Sequence, residues 1–412
     1  MRRAAPTAPR RIAYDLLSPR LLDMLQAALP GVEWDDGDAL LRETGSKTGS
    51  DNFSGTIEKS SDPVLRDRRA KVDCAMARAG LDGMVLLKPA NVRYAAGPQV
   101  PGAIVAPGRA PLLLTGDDAE LVAESLSGAR RVAIDRWSAP LHATLRRVLP
   151  HVEWIDADGI LADERMIKLP AEIELLRRAQ QLNERALEAV LEALRPGVRE
   201  IDLTAVFDAA LERVGVSEVL VESVWCALPK TRGEAPWAPP GALPYRELTS
   251  ERVLRDGDLV AMDTGILHEG YMSDFGRTWR CGAGRPSDGE RRIFDEWCEI
   301  RDRLFDACRP GNSALTLRRA ALAGWQRPQP PWPLPLYVAH SIGVGGVEPP
   351  FVGTDLGEAV EDRWALRPGM VLVFEPYVWE EGVGGYRAEE TVVVTEAGCE
   401  RFTQFSYGAF AA

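Results

Sequence analysis

The stretch DLVAMDTGILHEGYMSDFGRTWRCG, residues 258–282, predicts a β-hairpin that carries two aspartates. Two strand-like runs, 258–264 and 271–280, flank a short polar break that contains a glycine, which is a signal for a hairpin. Asp263 and Asp274 are symmetric about the peptide bond between residues 268 and 269. A tip at that bond would place the two carboxylates directly opposite each other, with Cβ atoms roughly 5 Å apart. Such carboxylates repel each other unless a cation lies between them, and a pair of divalent metal ions is the natural occupant. The alternative is an exposed acidic hairpin that binds nothing.

The second half of the chain repeats this pattern. Residues 256–263 and 368–375 each read as a turn with a glycine, an apolar strand and a final carboxylate, at an offset of 112 residues. A glycine-rich break follows Glu375, and Glu389 lies on the next strand, so this hairpin also predicts two opposed carboxylates. Upstream, Arg-Pro-Gly at 195–197 recurs at 309–311. We interpret these matches as an internal duplication of helix, helix and hairpin, with one shared site at a pseudo-twofold axis.

Composition is that of a soluble globular protein. The chain has 412 residues, 45% of them hydrophobic and 27% charged, which allows two or three domains. The net charge of −12 argues against nucleic acid and anionic membranes as partners. No uncharged apolar run is long enough to span a membrane, and no signal peptide follows the basic N-terminus. Six cysteines without a CxxC motif are typical of reduced thiols, so we expect a cytoplasmic protein.

The pattern changes at two places along the chain. Residues 1–64 read as an irregular extension, with a short helix over 17–29 and a flexible glycine-rich linker over 45–55. Residues 65–162 alternate helix and buried strand, which predicts an α/β domain. From 163 to 412, amphipathic helices alternate with antiparallel hairpins, which predicts an α+β domain.

Among four histidines, His340 is the candidate ligand. The other three, His142, His151 and His268, are expected to have surface or structural roles. His340 follows the strand-like run 336–339 and begins a glycine-rich loop, where an imidazole can project with little crowding. Four carboxylates and one imidazole suit Mn²⁺, Fe²⁺, Co²⁺ or Zn²⁺.

Five strings, MDTG, SDFGRTW, HSIGVG, FEP and RAEET, carry these candidates in order. They resemble the metal-ligand motifs of the pita-bread metallopeptidases, which include methionine aminopeptidase, aminopeptidase P, prolidase and creatinase. The resemblance covers about 163–405, and 65–162 looks like the smaller creatinase/prolidase N-terminal domain. It implies an α+β pita-bread catalytic domain with pseudo-twofold duplication, preceded by that α/β domain. It also implies two divalent metal ions, with Mn²⁺ as the first candidate and Co²⁺, Zn²⁺ or Fe²⁺ as alternatives. A homodimer is implied as well.

The resemblance also implies a role for each ligand. Asp263 would chelate one metal ion, Asp274 and Glu389 would bridge both, and His340 and Glu375 would complete the other. A water whose pKa is lowered by two cations would be the nucleophile, and Glu375 would carry its proton to the leaving nitrogen. Glu390 is adjacent to Glu389, but neighbouring strand residues point to opposite faces, and the family pattern selects Glu389.

Two expected histidines are missing. Peptidases of this kind normally carry two more histidines that contact the substrate and stabilise the tetrahedral intermediate. This chain has Arg246 and Val347 there, the latter beside Glu348. Arg246 could serve as a cationic donor if it points inward; the alternative is a solvated loop side chain. The metal ligands are therefore complete, whereas the substrate-binding donors are not.

Two segments rich in proline and tryptophan are candidates for pocket walls, Ala235–Tyr245 and Arg327–Tyr337. Their aromatic residues would suit an apolar or cyclic group such as a prolyl ring. The alternative is loop packing at the domain edge. The predicted substrate pocket comprises Trp237, Tyr245, Trp332 and Glu348.

Three functions compete. The first is a dinuclear peptidase of the Xaa-Pro dipeptidase or aminopeptidase type, which acts on short peptides. The second keeps the fold but acts on another small molecule, as a creatinase-like amidinohydrolase or a dimethylsulfoniopropionate-lyase-like enzyme; the missing histidines favour it. The third is a non-catalytic binding module, which the complete ligand set disfavours.

Overall fold

The computed structural model describes residues 62–411 except 98, 99, 116, 117, 217, 240, 247 and 335. It also describes two short parallel strands, β1 (Arg11–Tyr14) and β2 (Glu33–Asp36). The chain forms an N-terminal unit, Met1–Glu164, and a C-terminal unit, Arg165–Ala412. The predicted domain limits at 64 and 162 stay predictions, and the predicted helix over 17–29 and linker over 45–55 lie outside the described residues. Among the described helices, none is long and apolar enough to cross a membrane.

The N-terminal unit is built on a five-stranded mixed sheet in the order β5-β4-β3-β6-β7. Its strands are β3 (Gly83–Leu86), β4 (Gly102–Val105), β5 (Leu112–Leu114), β6 (Arg131–Ile134) and β7 (Glu153–Asp156). Its helices are α1 (Pro63–Ala79), α2 (Pro89–Ala96), α3 (Ala119–Ser125), α4 (Ala139–Val148) and most of α5 (Ala157–Met166). Strand β3 pairs in parallel with β6 and antiparallel with β4. Its four residues are all buried, which explains why an unbroken apolar run rather than an alternating one predicted it.

A buried carboxylate fixes the turn from β3 to α2. Asp135, which is fully buried, accepts hydrogen bonds from the backbone N–H of Leu87 at 2.8 Å and of Lys88 at 3.2 Å. The side-chain amide of Asn91 donates to the same carboxylate at 2.9 Å. These bonds satisfy the N–H groups at the start of α2, where helical partners are missing.

The C-terminal unit contains two halves, each of which begins with two helices and continues with antiparallel strands. The first half comprises α6 (Pro170–Ala193), α7 (Glu200–Arg213), β8 (Glu218–Ala227), β9 (Leu259–His268) and β10 (Tyr271–Arg280), and its sheet has the order β10-β9-β8. The second half begins with α8 (Asp288–Ala307), α9 (Ala314–Leu322), β11 (Ala339–Gly343), β12 (Gly346–Val352) and the short α10 (Glu358–Glu361). It continues with β13 (Val371–Phe374), β14 (Tyr377–Glu380), β15 (Gly384–Arg387), β16 (Glu390–Val394) and β17 (Cys399–Arg401). The second sheet has the order β12-β11-β13-β16-β17, and β14 and β15 pair separately.

Matching hydrogen bonds confirm the predicted duplication. Gly197 N–H donates to the carbonyl of Leu254 at 2.9 Å, and Gly311 N–H donates to that of Leu366 at 3.0 Å. The two glycines belong to the repeated Arg-Pro-Gly, 114 residues apart (311 − 197), and the two leucines lie 112 residues apart (366 − 254). In each half, this bond connects the loop before the second helix, α7 or α9, to the segment that precedes the hairpin strand, β9 or β13.

The tip of the first hairpin lies one residue beyond the predicted place. Glu269 and Gly270 have φ values of 50° and 83°, as in a type I′ turn, and Tyr271 pairs with His268. Asp263 is therefore opposite Gly276, and Asp274 is opposite Gly265. The prediction that the two aspartates are directly opposed is wrong: they are diagonal neighbours. They still share one face of the sheet, because residues 274 and 276 are two positions apart.

The second hairpin has the predicted register. Phe374 pairs with Glu390 in one ladder and Tyr377 pairs with Arg387 in the next. Glu375 and Glu389 therefore oppose each other in the gap between the two ladders. Two hydrophobic clusters support the hairpins, one between α8, α9 and the second sheet, the other between α6, α7 and the first sheet.

Candidate metal centre

Three carboxylates converge from the two hairpins. Asp263 on β9, Asp274 on β10 and Glu389 before β16 each offer one oxygen, and these oxygens lie within 4.8 Å of one another. The backbone connects the two hairpins here, since Glu389 N–H donates to the carbonyl of Gly276 at 3.0 Å. The pseudo-twofold arrangement thus brings acidic residues that are more than a hundred positions apart into one cluster.

His340 and Glu375 extend the cluster on one side. The Nε2 atom of His340 lies 3.1 Å from Asp274 Oδ2 and 3.2 Å from Glu375 Oε1. The other ring nitrogen, Nδ1, lies 3.1 Å from the carbonyl of Ser341, an acceptor that directs Nε2 towards the carboxylates. His340 is the second residue of β11 rather than the start of a loop, and a β-bulge follows it. The prediction of a loop position is wrong in this respect, although the imidazole does reach the cluster.

The sequence prediction missed Arg387, which lies among the same carboxylates. Its guanidinium donates from Nη1 to Asp263 Oδ2 at 2.8 Å and lies 2.8 Å from Glu389 Oε1. Its Nη2 donates to Glu375. Arg387 is only 5% exposed, so this positive charge is shielded from water. The signal was present in RAEET: Arg387 and Glu389 are two positions apart, a spacing that places strand residues on one face.

Burial and neighbouring charges shift the pKa values of three carboxylates in the cluster, Asp263, Glu375 and Glu389. Burial raises the pKa of Asp263 to about 6, an effect that Arg387 opposes and that Asp274 and Glu375 reinforce. Burial also raises the pKa of Glu389 well above its usual value. For Glu375, burial acts in the same direction, but Arg387 and His340 outweigh it and hold its pKa below the usual value. Compared with Asp263 and Glu389, Glu375 is thus the carboxylate that more readily stays ionised.

The donor set fits divalent cations. Glu389 Oε2 is buried and accepts no hydrogen bond from any described residue. A buried acceptor without a partner is costly, and a cation would satisfy it. Four carboxylates outnumber the two cationic side chains among them, His340 and Arg387, and oxygen with imidazole nitrogen is a ligand set for Mn²⁺, Fe²⁺, Co²⁺ or Zn²⁺.

Gly276 allows Glu389 to approach the first hairpin. A Cβ atom at Gly276 would lie 2.9 Å from both Cδ and Oε1 of Glu389 and 3.0 Å from the carbonyl of Met262. We therefore expect Gly276→Ala to displace the Glu389 carboxylate and weaken metal binding by about 10–100-fold without removing a ligand. Calorimetric titration with Mn²⁺ measures this affinity.

Gly398→Ala is the matched control, since a Cβ atom at Gly398 meets no atom within 4 Å. We expect this control to bind Mn²⁺ like the wild type. Equal affinity of Gly276→Ala and wild type would show that the close approach at Gly276 does not position Glu389.

The two other charged residues of the predicted site bind elsewhere. Arg246 Nη2 donates to Glu200, whose carboxylate also accepts from Ser250 Oγ at 2.6 Å. The guanidinium of Arg246 is therefore held by Glu200, a buried residue outside the cluster. A catalytic role for Arg246 stays an untested prediction. Glu348 is paired with Lys168 and with Arg165 Nε at 3.1 Å. It lies in this ion-pair cluster rather than in a substrate pocket.

The aromatic pocket candidates separate into two groups. Trp332 is 1% exposed, belongs to the hydrophobic core and donates from Nε1 to the carbonyl of Gly353 at 2.9 Å. It packs in the core and does not line a pocket, so this prediction needs correction. Tyr245 lies near the cluster, with its ring 5.6 Å from the guanidinium carbon of Arg387. Trp237 is exposed and donates from Nε1 to the carbonyl of Tyr245 at 3.1 Å, so these two residues remain candidates for a wall.

Comparisons with known proteins agree on one family. The model of metallopeptidase family M24 matches residues 174–396. The Xaa-Pro dipeptidase of Pyrococcus horikoshii is 24% identical over 370 residues, which cover 83% of this chain and 98% of that protein. The creatinase of Bacillus sp. strain B-0618 is 26% identical over 297 residues, which cover 68% of each protein. The solved structure of Xaa-Pro dipeptidase from Bacillus anthracis matches with a TM-score of 0.69 at 22% identity, covering 83% of this chain and 98% of that chain. The structural likeness confirms the predicted fold class.

Proposed function

Since this chain belongs to metallopeptidase family M24, we propose that it hydrolyses short peptides at a bond next to proline with the help of two divalent metal ions. The family is metal-dependent, and the chain is a hydrolase of that family. The observation that carries the proposal is the convergence of three carboxylate oxygens within 4.8 Å, with His340 and Glu375 in contact with them.

The proposed ligands are Asp263, Asp274, His340, Glu375 and Glu389, and Mn²⁺ is the first candidate. When bound, divalent ions supply Lewis acidity, which lowers the pKa of a water and polarises the scissile carbonyl. Asp274 and Glu389 come from different hairpins, and their oxygens lie within 4.8 Å of each other and of Asp263, so both would hold the metal ions here.

Glu375 is the proposed carrier of the proton. Its carboxylate stays ionised, because Arg387 and His340 outweigh the effect of burial on its pKa. An ionised carboxylate can accept a proton from the attacking water and donate it to the leaving nitrogen. Arg387 holds Glu375 in place through its Nη2 and thereby orients this transfer.

The proposed substrate is an Xaa-Pro dipeptide or a short peptide with proline in the second position. Support comes from the relative in Pyrococcus horikoshii that is named Xaa-Pro dipeptidase. Tyr245 and Trp237 offer aromatic surface for a prolyl ring near the cluster. The homodimer and the cytoplasmic location stay predictions from the sequence.

A second candidate function has its own support. Val347 has an apolar side chain and supplies no hydrogen-bond donor, and the guanidinium of Arg246 donates to Glu200. A creatinase is among the relatives. A creatinase-like amidinohydrolase, or a dimethylsulfoniopropionate-lyase-like enzyme, would keep the metal centre and change the substrate. A non-catalytic module is disfavoured because all five candidate ligands lie together.

We expect the Mn²⁺-loaded protein to cleave dipeptides and tripeptides with proline in the second position. Matched peptides with alanine in place of proline are the control, and we expect slower cleavage of these. Liberated proline or amine measures the reaction. Metal bound to the protein without cleavage of any peptide would contradict the peptidase proposal, and turnover of creatine or dimethylsulfoniopropionate would then establish the second candidate.

A further inference from the structure

Tyr337 lies beside the metal centre, three residues before the ligand His340. Its ring centroid is 4.7 Å from that of His340 and 5.6 Å from that of Phe351, the residue paired with His340 on β12. The side chain is half-buried. The phenol ring therefore packs against the candidate ligand while part of it stays accessible.

The hydroxyl group of Tyr337 is available as a hydrogen-bond donor. A tyrosine hydroxyl keeps its proton at neutral pH and can donate a hydrogen bond. No described residue forms a hydrogen bond with it. Because the half-buried ring packs against the candidate ligand His340, an unpartnered donor on this ring suits a molecule bound at the cluster.

The reaction needs such a donor. Negative charge develops on the carbonyl oxygen when water attacks a peptide bond, and a donor aimed at that oxygen typically contributes on the order of 10²–10³ in rate. The two positions expected to carry histidine donors are occupied by Arg246, which pairs with Glu200, and by Val347.

We propose that Tyr337 is a catalytic residue whose hydroxyl donates a hydrogen bond to the substrate carbonyl oxygen as its negative charge develops. This inference rests on the proposed peptidase function. Water oxygen bonds to the carbonyl carbon, its proton passes through Glu375 to the leaving nitrogen, and the C–N bond breaks. The Tyr337 proton stays on its own oxygen throughout, so the hydroxyl stabilises charge and transfers nothing.

Tyr337→Phe tests the proposal, because it removes the hydroxyl and keeps the ring that packs against His340. In the Mn²⁺-loaded enzyme we expect kcat for an Xaa-Pro dipeptide to fall by about 10²–10³. We expect KM to change by less than about threefold, since the bond strengthens in the transition state rather than in the bound substrate. Metal content and unfolding temperature should match the wild type.

Tyr94→Phe is the matched control in the N-terminal unit, where the hydroxyl donates a long hydrogen bond of 3.4 Å to the Glu164 carbonyl. A Tyr337→Phe enzyme with wild-type kcat would overturn the catalytic role while leaving the proposed function intact. A fall in kcat that accompanies loss of metal or of thermal stability would also overturn it, since that pattern indicates a structural role. A wild-type enzyme that cleaves no peptide would instead refute the proposed function, and the role of Tyr337 with it.

Discussion

Asp274→Ala is expected to abolish both metal binding and hydrolysis. The Asp274 carboxylate lies between the two halves of the cluster, within 4.8 Å of the oxygens of Asp263 and Glu389 and 3.1 Å from His340 Nε2. Its removal takes away the carboxylate that contacts His340 and also lies beside the oxygens of Asp263 and Glu389. Because Lewis-acid stabilisation by a metal ion is worth several kcal/mol, the loss in kcat/KM should be about 10³-fold or more.

Elemental analysis after dialysis and the rate of peptide cleavage measure the two expected losses. Asp306→Ala is the matched control, because Asp306 is an exposed aspartate of the same unit, with a side chain 85% exposed. We expect the control to keep its metal and its activity. An active Asp274→Ala enzyme would contradict the assignment of this carboxylate to the metal centre.

Arg387→Met is expected to destabilise the metal-free protein far more than the metal-loaded protein. Without metal, the guanidinium is the buried positive charge that contacts Asp263, Glu375 and Glu389. Removing one partner of a buried ion pair costs about 3–5 kcal/mol of unfolding free energy. Bound cations would supply positive charge to the same carboxylates and so offset most of this loss.

Denaturant unfolding measures the difference in unfolding free energy between variant and wild type, once with a chelator and once with Mn²⁺. Arg277→Met is the matched control: Arg277 pairs with Glu390 at 3.0 Å, and both side chains are almost fully buried. We expect the control to lose similar stability in both conditions, since its carboxylate partner Glu390 is not a proposed ligand and its Nη1 donates to the backbone carbonyl of Glu389, at 2.6 Å, rather than to the carboxylate. If Mn²⁺ reduces the loss of unfolding free energy in neither variant, the proposal that bound metal ions replace the charge of Arg387 is wrong.

Strand periodicity explains why most of the candidate site could be predicted. Side chains alternate between faces with a period of two, so carboxylates at set positions of two hairpins predict a shared acidic face. The error in the first hairpin was a tip displaced by one residue, because Glu269 and Gly270 adopt the positive φ values of a type I′ turn. A shift of the tip by one residue moves each partner by two residues, which preserves the face. Asp263 and Asp274 therefore still meet, although they are not directly opposed.

Long-range ion pairs explain what could not be predicted. Arg246 and Glu200 are 46 residues apart in the chain, and Lys168 and Glu348 are 180 apart. Nothing local to these residues indicates which opposite charge each will meet. The same limit applies to Trp332, whose proline-rich surroundings predicted a loop wall although its indole is buried in the core. These contacts depend on how the elements pack, which the local pattern does not contain.

The most direct test of the central claim is an anomalous difference map from crystals of the protein loaded with Mn²⁺. The proposal predicts two peaks enclosed by Asp263, Asp274, His340, Glu375 and Glu389. The absence of any peak among these five side chains would contradict the metal centre itself, and a single peak would contradict its dinuclear character.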